Sequence, residues 1–368
     1  MLYGSLFPFR FVTSIDSGTL AHFLGSWRKA TGTGDMLGNL ALFFPYGYTA
    51  CLIAARTARP TRTAVGLCLL GIALAVLCQA GQMFTPGRDP SVFDLYMNGI
   101  GVALGWLGAK LLPLGSSGTL LGGNPSYHLS LVIAGSWLAC QLLPFVPSLD
   151  PQVWRDTFWP LLVRPRFLWQ ESLMLCAAWL MFFHVLHFRT GLRLGAPAVL
   201  GGAVLLLTLQ VVIVHNYISV SSLVGLGAAL LIWLLWGTRL SAHTLAWALL
   251  AGSACYALAP FVLWSAPRNF SWLPFEGYLM GSMLINAAAL CRKVFIFGAI
   301  ILILVEPFPN VLRRALAVTC FLVVLEALQR WIGYGTPALT DPLLFLTLSW
   351  VIHRQMSRYR ERAVRQAG

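Results

Sequence analysis

The feature that most constrains this chain is a train of long apolar stretches with almost no charge inside them. Ala64 to Cys78, Ala198 to Val214 and Val294 to Val305 are examples. Hydrocarbon offers no water to backbone N–H and C=O groups, so such a segment crosses a bilayer only with its hydrogen bonds closed internally. Stretches of this kind place spans at 38–55, 63–83, 95–112, 128–145, 170–187, 197–214, 222–237, 244–264, 287–305, 311–331 and 341–354. Of the 368 residues 58% are hydrophobic and only 10% are charged, against about 25% charged in a soluble domain. The polar surface that a water-soluble globule needs is missing. The expected fold is all-α, a polytopic transmembrane helical bundle of about eleven spans.

The net charge of +13 invites a nucleic-acid reading, but its distribution follows the membrane instead. Arg56/Arg59/Arg62, Lys110, Arg189/Arg193, Arg239, Arg313/Arg314 and a tail with Arg354, Arg358, Arg360, Arg362 and Arg365 all fall on one side of the alternating spans. Short basic connections mark the cytoplasmic side, so the carboxyl terminus is expected inside and the amino terminus outside. The tail then rests on anionic lipid headgroups, and lipid, not nucleic acid, is the expected partner. Ten of the twelve acids lie on or near the other side, among them Asp35, Asp94, Asp150, Asp156, Glu171, Glu326 and Asp341. The eight cysteines sit in apolar stretches without a CxxC pair, which argues against a disulfide framework or a zinc site. No cofactor is implied.

Self-comparison suggests three tandem units, 1–120, 121–240 and 241–355, followed by the basic tail 356–368. Each unit carries an outer Pro-Phe pair: Pro8-Phe9, Pro144-Phe145 and Pro260-Phe261. A polar residue follows 26 or 27 positions on: Asp35, Glu171 and Asn286. A glutamine then falls near the outer end of a later helix: Gln82, Gln210 and Gln329. Asp94 comes twelve residues after Gln82, and Asp341 twelve after Gln329. A unit of four spans returns the chain to its starting side, so the repeats are expected to be parallel. The first lacks its leading span, either by loss or because the true start lies upstream.

Asp35-x3-Asn39-Leu-Ala-Leu-Phe-Phe-Pro45-Tyr-Gly47, then Gln79-x2-Gln82, Arg88, Asp94 and Asn98-Gly-x-Gly101 resemble the VanZ-like membrane family. Its usual pattern runs Asp, Asn, Phe-x-Pro-x-Gly, Glu-x-x-Gln, Arg, then Asp and Asn-x-x-Gly. The resemblance covers 1–113 and returns in 255–354, where Glu326-x2-Gln329 and Asp341 fit. The family's glutamate is Gln79 in the first unit, and Lys293-Val-Phe-Ile-Phe-Gly298 replaces the Phe-x-Pro-x-Gly segment in the third. The resemblance implies a bacterial inner-membrane protein tied to teicoplanin resistance and cell-surface biology, with no fixed reaction.

Two groups of residues are candidates for a site. Asp35, Asn39, Gln82, Arg88, Asp94 and Asn98 stand at or near the outer ends of consecutive spans, and offer donors and acceptors suited to hydroxyls, amides and phosphates. Helix capping accounts for them equally well, with Asp94 at the N-cap of 95–112. Gly99, Gly101 and Gly105 suit close helix packing. Lys293, Glu326, Gln329 and Asp341 form the second group. A charge within a span is costly and seeks a partner, so Lys293 is expected to pair with Glu326. A structural ion pair, binding of a polar ligand and proton transfer all fit that pairing. His184 and His187, at i and i+3, have no third metal ligand nearby and suit packing.

Three functions follow as expectations. The first is engagement of a polar envelope molecule, lipid-linked or glycopeptide-like, at the outer face. The second is an envelope transferase or hydrolase acting on lipid-linked saccharide, with one indispensable acid. The third is a transporter, which a cytoplasm-facing polar cluster would favour.

Overall fold

The computed structural model describes residues 2–13, 17–28, 33–55, 57–86, 90–111, 125–163, 165–280, 282–306, 309–333 and 335–367. Arg88 lies outside this set, and Asp35 is described only as a backbone position. The described residues are helical, with no strand beyond isolated bridges. In chain order the helices are α1 (Leu2–Leu6), α2 (Ser17–Gly25), α3 (Thr33–Ala54), α4 (Pro60–Met83), α5 (Val92–Leu111), α6 (Pro125–Leu142), α7 (Pro151–Leu162) and α8 (Trp169–His184). Then come α9 (Ala196–Val212), α10 (Val220–Trp236), α11 (Ala242–Leu258), α12 (Glu276–Leu279), α13 (Met283–Ile300), α14 (Val311–Gln329) and α15 (Thr340–Ala367). Each of the apolar segments read from the sequence falls on one of these helices. Pro60–Met83, Val92–Lys110, Trp169–Arg189 and Leu284–Val305 are long and apolar enough to cross a membrane.

The chain divides into two compact units, Met1–Gly123 and Asn124–Gly368. In the first, α3 and α5 meet backbone to backbone. A methyl group on Gly47 would strike the Val102 carbonyl, and one on Gly105 the Phe44 carbonyl. One on Gly101 would stand 2.6 Å from the Leu40 oxygen. The Pro45-Tyr-Gly47 motif is therefore packing machinery, as small residues are between membrane helices. Gly99 does not share this role, because nothing lies within 4 Å of its side-chain direction.

α4 is built inside out relative to a helix in water. Val65, Leu69, Ile72 and Val76 are exposed along one stripe, whereas Gly71, Ala75, Cys78 and Gln79 are buried. Large apolar side chains turned outward, with small and polar ones inward, fit a solvent as apolar as leucine. This is a membrane protein.

In the second unit α8 runs through the interior, with Met174, Ala178, Met181 and Phe183 buried in succession. Trp137 of α6 is fully buried between Trp179 (ring centroids 5.2 Å apart) and Phe295 (4.9 Å). α8 and α13 each finish in a π-helical turn, Val185–Arg189 and Ile301–Val305. α15 runs on from the last apolar span into the basic segment as far as Ala367, 28 residues or about 42 Å. α7, in what reads from sequence as a loop, starts with Asp150 capping the Gln152 amide and Pro151 in the first turn.

A shared turn follows α1, α6 and α11. The Phe7-Pro8, Leu143-Pro144 and Ala259-Pro260 peptides are cis, and Phe9, Phe145 and Phe261 have φ of 62, 63 and 64°. Each of these phenylalanines donates its amide to the carbonyl three residues back, at 2.9, 2.8 and 2.9 Å. Three residues after each phenylalanine an amide reaches the end of a later helix. Val12 donates to Phe84 (2.9 Å), Ser148 to Val212 (2.8 Å) and Trp264 to Trp331 (2.8 Å).

Candidate functional site

Lys293 stands nearly three turns into α13, because that helix starts at Met283, earlier than the apolar run suggests. At this level it meets the first turn of α15, and its Nζ bonds Asp341 Oδ1. The sequence-based pairing with Glu326 is thus corrected: Asp341 is the direct partner. Glu326, only 5% exposed in the last turn of α14, accepts a hydrogen bond from the Ala338 amide at 2.8 Å. Its carboxyl neighbours Asp341 and Lys293. The Tyr278 ring faces the ammonium at 5.6 Å.

The Lys293 and Asp341 side chains keep 30% and 17% exposure, so the pair opens outward while Glu326 backs it from within. A ligand arriving there meets an ammonium and a phenol as donors and carboxylates as acceptors.

The surrounding residues hold this geometry. Asn286 Nδ2 donates to the Tyr278 and Met280 carbonyls at 3.0 and 2.6 Å, fixing the short α12 turn that presents Tyr278. Thr340 Oγ1 accepts from the Phe275 amide at 2.8 Å. Gln329 is buried, and a methyl group on Gly335 would strike its Oε1.

In the first unit Gln79 Oε1 accepts from the Ser91 amide at 3.0 Å, twelve residues later. Glu326 and Ala338 are separated by the same step. Gln82 Nε2 donates to the Ser5 carbonyl (3.1 Å), as Gln210 Nε2 does to the Gln141 carbonyl (3.4 Å). The expected cap at Asp94 is corrected: the Ser91 hydroxyl accepts from the Asp94 amide at 3.1 Å, so Ser91 closes the helix. Asp94 occupies the first turn, buried. One turn on, Asn98 is 2% exposed, and its Oδ1 has no hydrogen-bond partner among the described residues. Asn39 is half-buried on α3. Gln79, Ser91, Asp94 and Asn98 thus line the junction of α4 and α5. The arrangement of Asp35 and Arg88 around it lies outside the described residues.

One polar cluster went unread in the sequence. Glu306, 3% exposed where α13 ends, faces His353 Nδ1 at 3.1 Å and Arg360 at 3.2 Å, both from α15. At the ends of α8 and α6, Arg189 donates to Ser126 Oγ (3.0 Å) and to the Leu302 carbonyl (3.1 Å), joining one π-helical turn to the other. The signal was a lone acid closing an apolar run among basic connections. His184 and His187 separate: His184 is buried against Phe188, and His187 Nδ1 faces the Leu192 carbonyl and Leu194 amide.

No curated protein and no solved structure matches this chain. Residues 2–113, which hold Gln79, Gln82, Asp94 and Asn98, match the VanZ/LLP1 family model, so the first compact unit is VanZ-like.

Proposed function

We propose that this chain is a bacterial inner-membrane protein of about eleven spans that engages a polar group of an envelope molecule at its extracytoplasmic face. A lipid-linked or glycopeptide-like headgroup is the class of ligand. The observation that carries the reading is the outward-opening Lys293–Asp341 pair backed by Glu326. Asp341 begins α15 and the arginine-rich segment ends it, so the pair stands at the end away from the basic side. The positive-inside rule then assigns it to the outside.

The chain is further read as three parallel units. Three amide-to-carbonyl bonds join equal offsets, from the fourth residue after each proline to the second after Gln82, Gln210 and Gln329. The Gln79–Ser91 and Glu326–Ala338 bonds span the same twelve residues. On this reading the third unit repeats the cradle of the VanZ-like first unit, with Glu326 charged where Gln79 is neutral.

The test is lipid and peptidoglycan profiling of a deletion strain, complemented with Lys293→Met and Asp341→Asn. Variants that accumulate normally yet leave the altered profile uncorrected support the reading. Full correction by both removes the cluster as a site.

A transporter is the second reading, favoured by Glu306 with His353 and Arg360. Along α13 and α15 this cluster lies about 20 Å from Lys293–Asp341, so the same helix pair carries charge at both ends. Uptake by proteoliposomes that depends on both clusters would select it over binding alone.

A further inference from the structure

A cavity of about 310 Å³ opens between α7 and the segment that follows α9, lined by Gln152, Arg155, Asp156, Trp159 and Tyr217. None of these residues belongs to the clusters described above. Its walls are fixed from behind. Thr157 is fully buried, and its carbonyl accepts from the Ile218 amide at 3.1 Å, which pins Tyr217 beside the helix. The Trp154 indole donates to the Ser148 carbonyl at 3.1 Å, tying α7 to the chain that leads into it.

We propose that this cavity binds the uncharged, hydroxyl-bearing ring of a saccharide. Two large aromatics are left exposed, Trp159 at 45% and Tyr217 at 65%. Such faces take up the C–H side of a sugar ring while their polar tips remain wet. Gln152 Nε2 donates to Asp156 Oδ1 at 2.9 Å, which holds the carboxylate in place with its second oxygen directed to no described residue. The Arg155 guanidinium lies 5.5 Å over the Trp159 ring. Carboxylate, amide and guanidinium together supply fixed acceptors and donors for neighbouring hydroxyls.

Charge decides against a bare anion. Arg155 and Asp156 cancel, so a phosphate gains no net attraction and faces a carboxylate at close range. Plain anchoring of α7 in lipid headgroups would use the aromatics but has no need of Asp156. The volume stands at the small end of ligand pockets, which suits a ring or two and not a polymer. The proposed function bears on this inference only for the side of the membrane: α7 follows the outer Pro144-Phe145 turn.

The experiment uses the full chain in a detergent without a sugar headgroup, since a maltoside would compete. Saturation-transfer NMR follows N-acetylglucosamine and methyl β-glucoside, with inorganic phosphate and phosphatidylglycerol vesicles as the opposing probes. Saturable saccharide binding is expected, weakened about tenfold or more, roughly 1.4 kcal/mol, by Asp156→Asn and by Trp159→Ala. Trp159→Phe should retain it, and Leu162→Ala, at an exposed position of α7 outside the cavity, should leave it unchanged. Absent saccharide binding, equal binding in Asp156→Asn, or preference for phosphate or vesicles would each overturn the proposal. Because Lys293→Met is read separately in the envelope profile, this cavity and the Lys293 cluster can fail independently.

Discussion

Lys293 and Asp341 should be energetically coupled, and more strongly than Lys293 and Glu326. Removing one partner of a fully buried pair costs about 3–5 kcal/mol, because the other charge is left uncompensated. Here the side chains keep 30% and 17% exposure, which screens part of that penalty. Lys293→Met leaves two neighbouring carboxyls without their cation and should cost about 2 kcal/mol. Asp341→Asn leaves Glu326 to compensate the ammonium and should cost about 1.5 kcal/mol. With both replaced no charge is stranded, and the loss should stay near 2 kcal/mol, giving a coupling of about 1.5 kcal/mol. The assay is a double-mutant cycle on reversible unfolding in mixed micelles, followed by tryptophan emission. A parallel cycle with Glu326→Gln serves as comparison. Glu326 is held by the Ala338 amide at 2.8 Å whatever Lys293 does, so its coupling should be smaller. Additivity of Lys293→Met and Asp341→Asn to within about 0.5 kcal/mol, or the larger coupling in the Glu326 cycle, would refute the reasoning.

Gly105→Ala should lower folded yield by the equivalent of about 1–3 kcal/mol, since its methyl group meets the Phe44 carbonyl, while Gly99→Ala should be tolerated; detergent-stable yield compares them. Glu306→Gln removes the charge that His353 and Arg360 face, so limited trypsin digestion should cut the end of α15 faster than in the parent. A reporter fused after Gly368 should be active only as a cytoplasmic one, and extracytoplasmic activity there would reverse the assigned faces. Glu326→Gln should accumulate like the parent yet fail to correct the envelope profile, measured by complementation of the deletion strain.

Helix positions were legible because a membrane helix satisfies its backbone locally, and an apolar run declares that by itself. Partners were less so. Sequence placed the start of α13 at residue 287, but the helix begins at Met283, and this difference sets Lys293 beside Asp341. Glu306 is not legible from the sequence because its partners, His353 at the end of the last apolar span and Arg360 in the basic segment, lie about fifty residues away on α15. The cap of α5 was misassigned for a similar reason. In Ser91-x-x-Asp94 either residue can satisfy a first-turn amide, and only geometry shows the serine doing so.

The sequence shows a twelve-residue step from Gln82 to Asp94 and from Gln329 to Asp341. The hydrogen bonds make the same step three residues earlier, from Gln79 to Ser91 and from Glu326 to Ala338, joining the last turn of one helix to the amide that precedes the next. That bond asks for an acceptor oxygen and nothing more. The neutral Gln79 supplies one at 3.0 Å, as Glu326 does at 2.8 Å. Folding of the step therefore does not account for a charge at residue 326, and a buried carboxyl is costlier to keep there than an amide. On the proposed repeat, the segment aligned with Lys293 holds the Pro45-Tyr-Gly47 packing motif and no ammonium. Glu326 and Lys293 thus both lack a charged counterpart at Gln79 and in the Pro45-Tyr-Gly47 segment, whereas Asp341 has one in Asp94. Lys293 and Glu326 are therefore charges that the twelve-residue step does not require, and on the proposed reading they serve the polar ligand together with Asp341.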